Sequence, residues 1–488
     1  ILGLSNYTGS LGLLVNGEEI GNRTVSLGPG EVANLPFEWT PSEYMVTEVT
    51  AQLVSAEDLS PENDRLMVSC MVDRRVESDE TWTGNRTLPG GLLIDPLVTV
   101  NIVDCSVTLQ PSEIPYRFSV LGALRLNGST VQGSPFSMDS DGGVLEIVNS
   151  RLSGMSNTSV SDLNGGSLSL RDSEIVGGSG WHLNGTSAEV LNATLVDQDG
   201  EWLLSNSVAN LDRLSGHGGD GLRLLNMTGT VTSSSWRDGS SGLVLDRCVG
   251  MALRDLALVG NGVDAGILGD ATEHFDHDVE NVSLTYGPLT VMKDLNGVTI
   301  ENVSGSLYLV GCQDVLVRSS RFASSGNGLA LIDSSDVEVI GNAVENCSIG
   351  ILAIDSQGTV WGNDLLFNEV QAVQSRSDLT FWMEYSEGGN HWSDMEGEDL
   401  MSGEGQNVPG ADGTFDSAYD SEGAYDRYPK VSRCSLVQDV LEASIFTGVA
   451  PVNRAEAVTF TSAGHSGIGI ANWTWDLGDG ELAYGPEV

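Results

Sequence analysis

Basic side chains are scarce in this chain. Lysine and arginine together number 22 against 68 aspartates and glutamates, the lysines are Lys293 and Lys430 alone, and the formal net charge is −46. A field of that sign repels nucleic acid and anionic membrane surfaces, so neither is expected as a partner. The plainest reading of so many carboxylates is a solvated acidic surface that keeps the protein soluble in salt. Aromatic residues are also few, at 6%, yet 40% of the residues are hydrophobic, which is ample for a core and excludes a disordered chain. No apolar run is long enough to span a membrane, no export-signal pattern is visible, and no segment carries helical periodicity. Ile1 falls inside an element and Val488 inside a domain, so a signal or anchor is expected outside this sequence.

What is present is a recurrence. Gly328-Leu-Ala-Leu-Ile-Asp333-Ser-Ser-Asp-Val-Glu-Val-Ile-Gly-Asn342 returns as Gly350-Ile-Leu-Ala-Ile-Asp355-Ser-Gln-Gly-Thr-Val-Trp-Gly-Asn363, a step of 22 residues. Upstream, glycines 305, 287, 266, 242 and 221 open similar runs at steps of 18 to 24. A period of this size means stacked supersecondary units. Leucine-rich repeats share it, but their LxxLxLxxN pattern is absent. Short apolar runs bounded by Gly, Asn, Asp and Ser fit parallel strands, which predicts a parallel β-helix over 92–383. About twelve coils are expected at a ladder spacing of about 4.8 Å, with Ile332 over Ile354 and Asp333 over Asp355.

The six cysteines do not read as a disulfide framework. Cys248 and Cys312 fall near the same corner three coils apart, about 14 Å, whereas a disulfide needs Cα atoms within about 7 Å. Cys347 lies elsewhere on its coil, and these three read as isolated buried thiols. Cys70 with Cys105 remains open as a pair, and Cys434 has no evident partner. No CxxC or zinc-type spacing occurs.

Asn-x-Ser/Thr sequons stand at Asn6, Asn22, Asn85, Asn127, Asn157, Asn184, Asn192, Asn226, Asn281, Asn302, Asn346 and Asn472. Some arise by chance in a chain rich in Ser, Thr and Asn, but their number favours an extracellular or cell-surface glycoprotein.

Three flanking segments differ in character. Residues 11–75 alternate like an antiparallel sandwich, within a domain expected over 1–75 whose first strand is cut, and the expected strands include 32–39 and 66–72. The succession Val15-Asn-Gly17, Gly28-Pro-Gly-Glu31, Phe37-Glu-Trp-Thr-Pro41 and Pro61-Glu-Asn-Asp64 resembles the CARDB family of adhesion-related Ig-like domains, which implies a spacer or adhesive module without catalysis. Residues 76–91 are expected as a linker. The solenoid resembles the archaeal and bacterial NosD-type and CASH (carbohydrate-binding and sugar-hydrolase) β-helix families. After it, Gly389-Asn-His-Trp-Ser-Asp394, Asp412-Gly-Thr-Phe-Asp416 and Asp426-Arg-Tyr-Pro429 resemble a motif series that ends many secreted archaeal β-helix proteins. His391 replaces the usual aromatic, and residues 395–410 form a longer insertion. Residues 384–432 therefore read as a cap over the last coil. A linker at 433–440 is followed at 441–488 by Trp473-Thr-Trp-Asp-Leu-Gly-Asp-Gly480, which resembles the signature of the PKD domain, another Ig-like sandwich, here cut short. The fold expectation is all-β: a right-handed parallel β-helix with flanking Ig-like β-sandwich domains.

Candidate chemistry is thin. Gly216-His-Gly218 resembles the Gly-His-Gly of polygalacturonase-type hydrolases. The acids such enzymes place on adjacent coils and their Arg-x-Lys are missing, however, and Asn210-Leu-Asp212 lies on the wrong side of a turn. A lyase needs a base and bound calcium, and Lys293 is the single lysine of the helix body. Glu273-His-Phe-Asp-His-Asp278 makes His274, Asp276 and Asp278 candidate ligands of a divalent metal, against the plainer reading of a solvated turn. The NosD resemblance implies copper, but the other histidines are scattered. Asp412, Asp416, Asp420 and Asp426 are candidate calcium ligands, against a plain acidic loop. The expected function is non-enzymatic, in surface architecture, adhesion or glycan binding, with glycans or other surface proteins as partners. The alternative is a carbohydrate-active enzyme, a polysaccharide lyase or hydrolase acting on the β-helix face.

Overall fold

A computed structural model describes residues 7–54, 64–156, 158, 160–421 and 423–435, and the backbone of four later strands, Glu442–Thr447, Phe460–His465, Thr474–Asp476 and Leu482–Tyr484. The fold is all-β and divides into two compact units, 1–200 and 201–488.

The first unit opens with four antiparallel strands in the order Glu18–Leu27, Tyr7–Val15, Val46–Val54, Arg65–Met71. Asn16 and Gly17 join the first pair at φ 48° and 82°. Both central positions of a type I′ turn need positive φ, which Asn and Gly tolerate. Asn16 also ties this turn to the third strand: its N–H donates to the Glu48 carbonyl at 2.8 Å and its Oδ1 accepts the Glu48 N–H at 2.9 Å. The strand expected at 32–39 is not formed. Pro36 and Pro41 supply no N–H to a ladder, which suits that stretch to irregular backbone. The described part is thus one sheet rather than two.

Parallel pairing begins earlier than the sequence reading placed it. Arg74–Val76 lies beside Leu92–Ile94, and Glu80–Leu88 beside Thr99–Leu109, so much of 76–91 belongs to the first coil rather than to a linker. Later rungs repeat in register, with Leu124 beside Leu145 and Leu145 beside Leu168, all at most 1% exposed.

The bends between strands follow one rule. Asp104, Gly128, Asn149, Asp172 and Asn192 occupy the same corner of successive coils, all at φ between 47° and 59°. Asn and Asp are the side chains that best tolerate this left-handed region. The residue after each bend turns inward. Ser129 Oγ accepts the Cys105 N–H at 3.2 Å, Ser150 Oγ the Ser129 N–H at 3.1 Å, and Ser173 Oγ the Ser150 N–H at 3.0 Å. Each donor that the bend frees from the ladder thereby finds a partner.

In the second unit coils begin at Glu201–Ser205. From residue 287 they are built from three parallel sheets, containing Asn327–Ile332, Ser335–Ile340 and Ala343–Glu345 respectively. Ile332 pairs with Ile354, and the Asp333 N–H donates to the Ile354 carbonyl at 2.9 Å, so the expected register holds. Leu329, Leu331, Ile351 and Ala353 point inward and are fully buried. The solenoid has about fifteen turns, more than expected, in part because its ladder reaches back to Arg74.

One corner of this unit carries buried asparagines in place of serines. Asn342 Nδ2 donates to Asn363 Oδ1 at 3.0 Å, and Asn363 Nδ2 to Asn390 Oδ1 at 3.0 Å. A strap also covers the outer face of the first sheet, where Tyr308, Ala330 and Ile332 are 0% exposed. It begins in the strand Val263–Leu268 and continues past it: Ile267 N–H donates to Tyr308 Oη at 3.2 Å, and Arg376 Nη2 to the Asp270 carbonyl at 2.9 Å. Gly326 is required where strap and coil cross, because a Cβ there would lie 2.6 Å from Gly266 Cα.

Candidate functional site

The first unit carries an open groove of about 600 Å3 along the corner just described, lined among others by Thr130, Asn149, Arg151, Asp172, Glu174 and Asn192. The coil period places equivalent side chains one ladder spacing apart, so the groove presents a row of amides, hydroxyls and charges parallel to the coil stack. Its two acids are each engaged by a neighbouring coil. Asp172 Oδ1 accepts Asn192 Nδ2 at 2.7 Å, and Glu174 pairs with Arg151 at 2.6 Å. The sequence reading missed this groove because it arises only when residues 20 or more positions apart are stacked.

Gly216-His-Gly218 is a packing feature. A Cβ on Gly216 would lie 2.2 Å from Trp236 Cε3, so the buried indole requires glycine there. His217 Nε2 lies 3.2 Å from Asp238, and Asp212 accepts a hydrogen bond from Thr232 Oγ1 at 2.9 Å. These contacts are coil-to-coil rungs.

The structure does not bring the candidate metal ligands together. His274 faces Asp270 at 3.2 Å, while Asp276 is held by Lys293 and Asp278 by Arg254. These residues belong to the strap, whose Phe275 is fully buried 6.3 Å from the Tyr308 ring centroid. Next to it His277 is buried, and burial lowers its pKa to about 4.

The four cap aspartates are separate as well. Asp412 bonds Tyr385 Oη and accepts Gln406 Nε2 at 3.1 Å. Asp416 Oδ1 accepts the Leu400 and Met401 N–H groups at 3.1 and 2.9 Å. Asp420 is exposed on a short strand paired to Ala424–Asp426. Asp426 is fully buried and ends the asparagine ladder. Its Oδ2 accepts the Asn390 N–H at 2.6 Å and Trp392 Nε1 at 2.9 Å, and its Oδ1 the Tyr428 N–H at 3.0 Å. Burial raises its pKa to about 6 against these bonds, which lower it. Trp392 in turn stacks on Tyr419 at 4.1 Å and packs beside Phe381. The two motifs around Asn390 and Asp426 thus close the solenoid end. Among the described residues no three of His, Cys, Asp and Glu converge as metal ligands.

All six cysteines are free, including Cys70 and Cys105. Burial raises the thiol pKa of Cys105, Cys248, Cys312 and Cys347, which makes them poor nucleophiles. Cys434 is pushed up to about 12, by burial first and by the Asp364 charge second.

Five sequon asparagines, Asn192, Asn226, Asn281, Asn302 and Asn346, are left-handed corner residues at φ between 50° and 58°, and all are exposed. Asn226 Nδ2 donates to Asn206 at 3.1 Å and Asn281 Nδ2 to Asp255 at 2.7 Å. Corner grammar, a left-handed Asn, an inward residue and an outward Ser or Thr, therefore writes sequons by itself. Asn22, Asn85, Asn127 and Asn184 are exposed as well. Asn6, Asn157 and Asn472 lie outside the described residues, as do Trp473 and residues 477–480 of the expected PKD signature.

A family model described as periplasmic copper-binding protein (NosD) matches residues 171–397, a little under half of the chain. No curated protein matches. Among solved structures, tailspike protein 3 of bacteriophage CBA120 is similar at 10% identity and a TM-score of 0.19 over 63% of this chain and 56% of that one. The catalytic domain of a GH87 α-1,3-glucanase, in complex with nigerose, is similar at 10% identity and a TM-score of 0.19 over 80% of this chain and 86% of that one. Similarity at that level carries no functional argument. The family match and the coil-by-coil register together support a NosD-like parallel β-helix.

Proposed function

We propose that this is a non-enzymatic extracellular or cell-surface protein whose solenoid binds a neutral glycan along the 128–194 corner. The groove at that corner carries the reading: it offers Asn149, Asp172, Asn192, Thr130 and Arg151 as hydrogen-bonding groups in a row. A net charge of −46 favours an uncharged ligand over a polyanion. Hydrolysis needs one protonated acid and a second free carboxylate across the scissile bond. Asp172 and Glu174 are instead engaged by Asn192 and Arg151, which supports binding over cleavage. The family description supports a place outside the cytoplasm. The CARDB-like and PKD-like flanks suit a spacer role at a surface, and exposed sequons outside the groove would carry glycans.

Copper does not fit the donors present. The cysteines are all free of disulfides, the strap histidines face Asp270 and Met251, and no three ligating residues converge among those described. No step is therefore assigned to that metal. The test is a glycan array followed by a reducing-sugar assay on each bound glycan. Binding that falls about tenfold in Arg151→Ala or Asp172→Ala, without sugar release, supports the reading. Release of reducing ends would replace it with the enzyme alternative.

A further inference from the structure

The N-terminal sheet holds a pocket that neither the coil corner nor the cap uses. It has a volume of about 170 Å3 and lies where the Asn16–Gly17 turn meets the irregular segment before Val46. Ile20 and Met45, both half-buried, give it an apolar lining. Trp39, 36% exposed, contributes an indole, and Glu18 and Glu43 contribute two exposed carboxylates. The turn that shapes it is fixed by the paired hydrogen bonds between Asn16 and Glu48.

Charge is what this pocket leaves incomplete. Glu48 is paired with Arg65 at 3.4 Å and Glu80 with Arg74 at 2.8 Å, but among the described residues Glu18 and Glu43 have no cation partner. The chain's own lysines are committed elsewhere, Lys293 to Asp276 and Lys430 beside Thr414. We propose that the pocket binds a primary alkylammonium group supplied from outside the chain. Its charge is shared by Glu18 and Glu43 and by the face of Trp39, and its alkyl stem lies on Ile20 and Met45.

The chemistry selects this ligand over its rivals. A cation over an indole face is attracted by the ring quadrupole, and a carboxylate beside it accepts a charge-assisted hydrogen bond from the ammonium. A neutral sugar would stack on Trp39 but leave two carboxylates without counter-charge. A calcium ion would satisfy the carboxylates but make no use of the indole or the apolar lining. An alkylammonium uses all three, and both a lysine side chain of a partner protein and a free diamine carry it.

The experiment is a titration of the whole chain at low salt, followed by ligand-observed NMR. The probes are acetyl-Gly-Lys-Gly-amide, its norleucine counterpart, putrescine, methyl glucoside and calcium chloride. The lysine peptide is expected to bind in about the millimolar range, and the norleucine peptide about tenfold more weakly. Glu43→Gln and Trp39→Ala should each weaken the lysine peptide about fivefold, while Trp39→Phe keeps most of the affinity and shows that the sheet is intact. Putrescine binding as tightly as the peptide assigns the pocket to free amines, and weaker binding assigns it to peptide-borne lysine. Either result supports an alkylammonium site. Equal binding of the norleucine peptide, binding of the sugar or calcium in place of lysine, or variants without effect would overturn it.

Discussion

Removing the Asp426 carboxylate should unfasten the end of the solenoid. In Asp426→Ala, the N–H groups of Asn390, Trp392 and Tyr428 lose the acceptor they share. A buried donor left unpaired costs roughly 1–3 kcal/mol, so three of them, relieved in part by entering water, should cost about 3–5 kcal/mol. The pH dependence follows from the raised pKa. The folded value of about 6 exceeds the ordinary 3.8, so the folded state binds the proton more tightly. This contribution is fully present below the unfolded pKa and is lost as pH rises through the folded one. Wild type should therefore gain about 2 kcal/mol over the alanine variant on going from about pH 7 to about pH 4. Denaturant unfolding monitored by tryptophan emission reads the loss, since Trp392 sits beneath Tyr419. An Asp426→Ala protein that unfolds at the same denaturant concentration as wild type, with a gap independent of pH, would refute the capping role.

Other outcomes follow from the same contacts. Asn363→Ala removes the amide that both accepts from Asn342 and donates to Val339, Trp361 and Asn390, and should cost about 2–4 kcal/mol in a chemical melt. Gly216→Ala should destabilise by about 1–3 kcal/mol because of Trp236, while His217→Ala should leave glycan binding unchanged, which separates packing from catalysis at that motif. Phe275→Ala should cost about 3–5 kcal/mol and raise hydrogen exchange in the strap. Calcium and sodium chloride at matched ionic strength should raise the melting temperature equally, since Asp412, Asp416 and Asp426 are engaged separately.

The core of the solenoid could be read because its information is local and repeated. Asp333 and Asp355 stand at matching points of an apolar run, and the left-handed corner selects Asn, Asp or Gly in most coils. The cap could be placed from its motifs, yet Asp426 was grouped with calcium ligands because spacing along the chain does not show that it folds back onto Asn390, 36 residues earlier. The strap was hidden for the same reason: its partners Tyr308, Asn327 and Arg376 lie tens of residues downstream. The first coil was missed because Glu80–Leu88 is largely polar and exposed, with Trp82 and Leu88 alone facing the core. The strand expected at 32–39 failed where Pro36 interrupts the run. The corner groove depends on which coil lies over which, and that is visible only once the register is known.

The central claim, that the charged side chains of this solenoid hold coils and bind a glycan without cutting it, meets its most direct test in the fate of the bound glycan. A glycan retained by the wild-type chain should be recovered at its original length after prolonged incubation, and the Asp172→Ala chain should retain less of it. Shortened products that accumulate with wild type and disappear with Asp172→Ala would contradict the account and make the groove an active site.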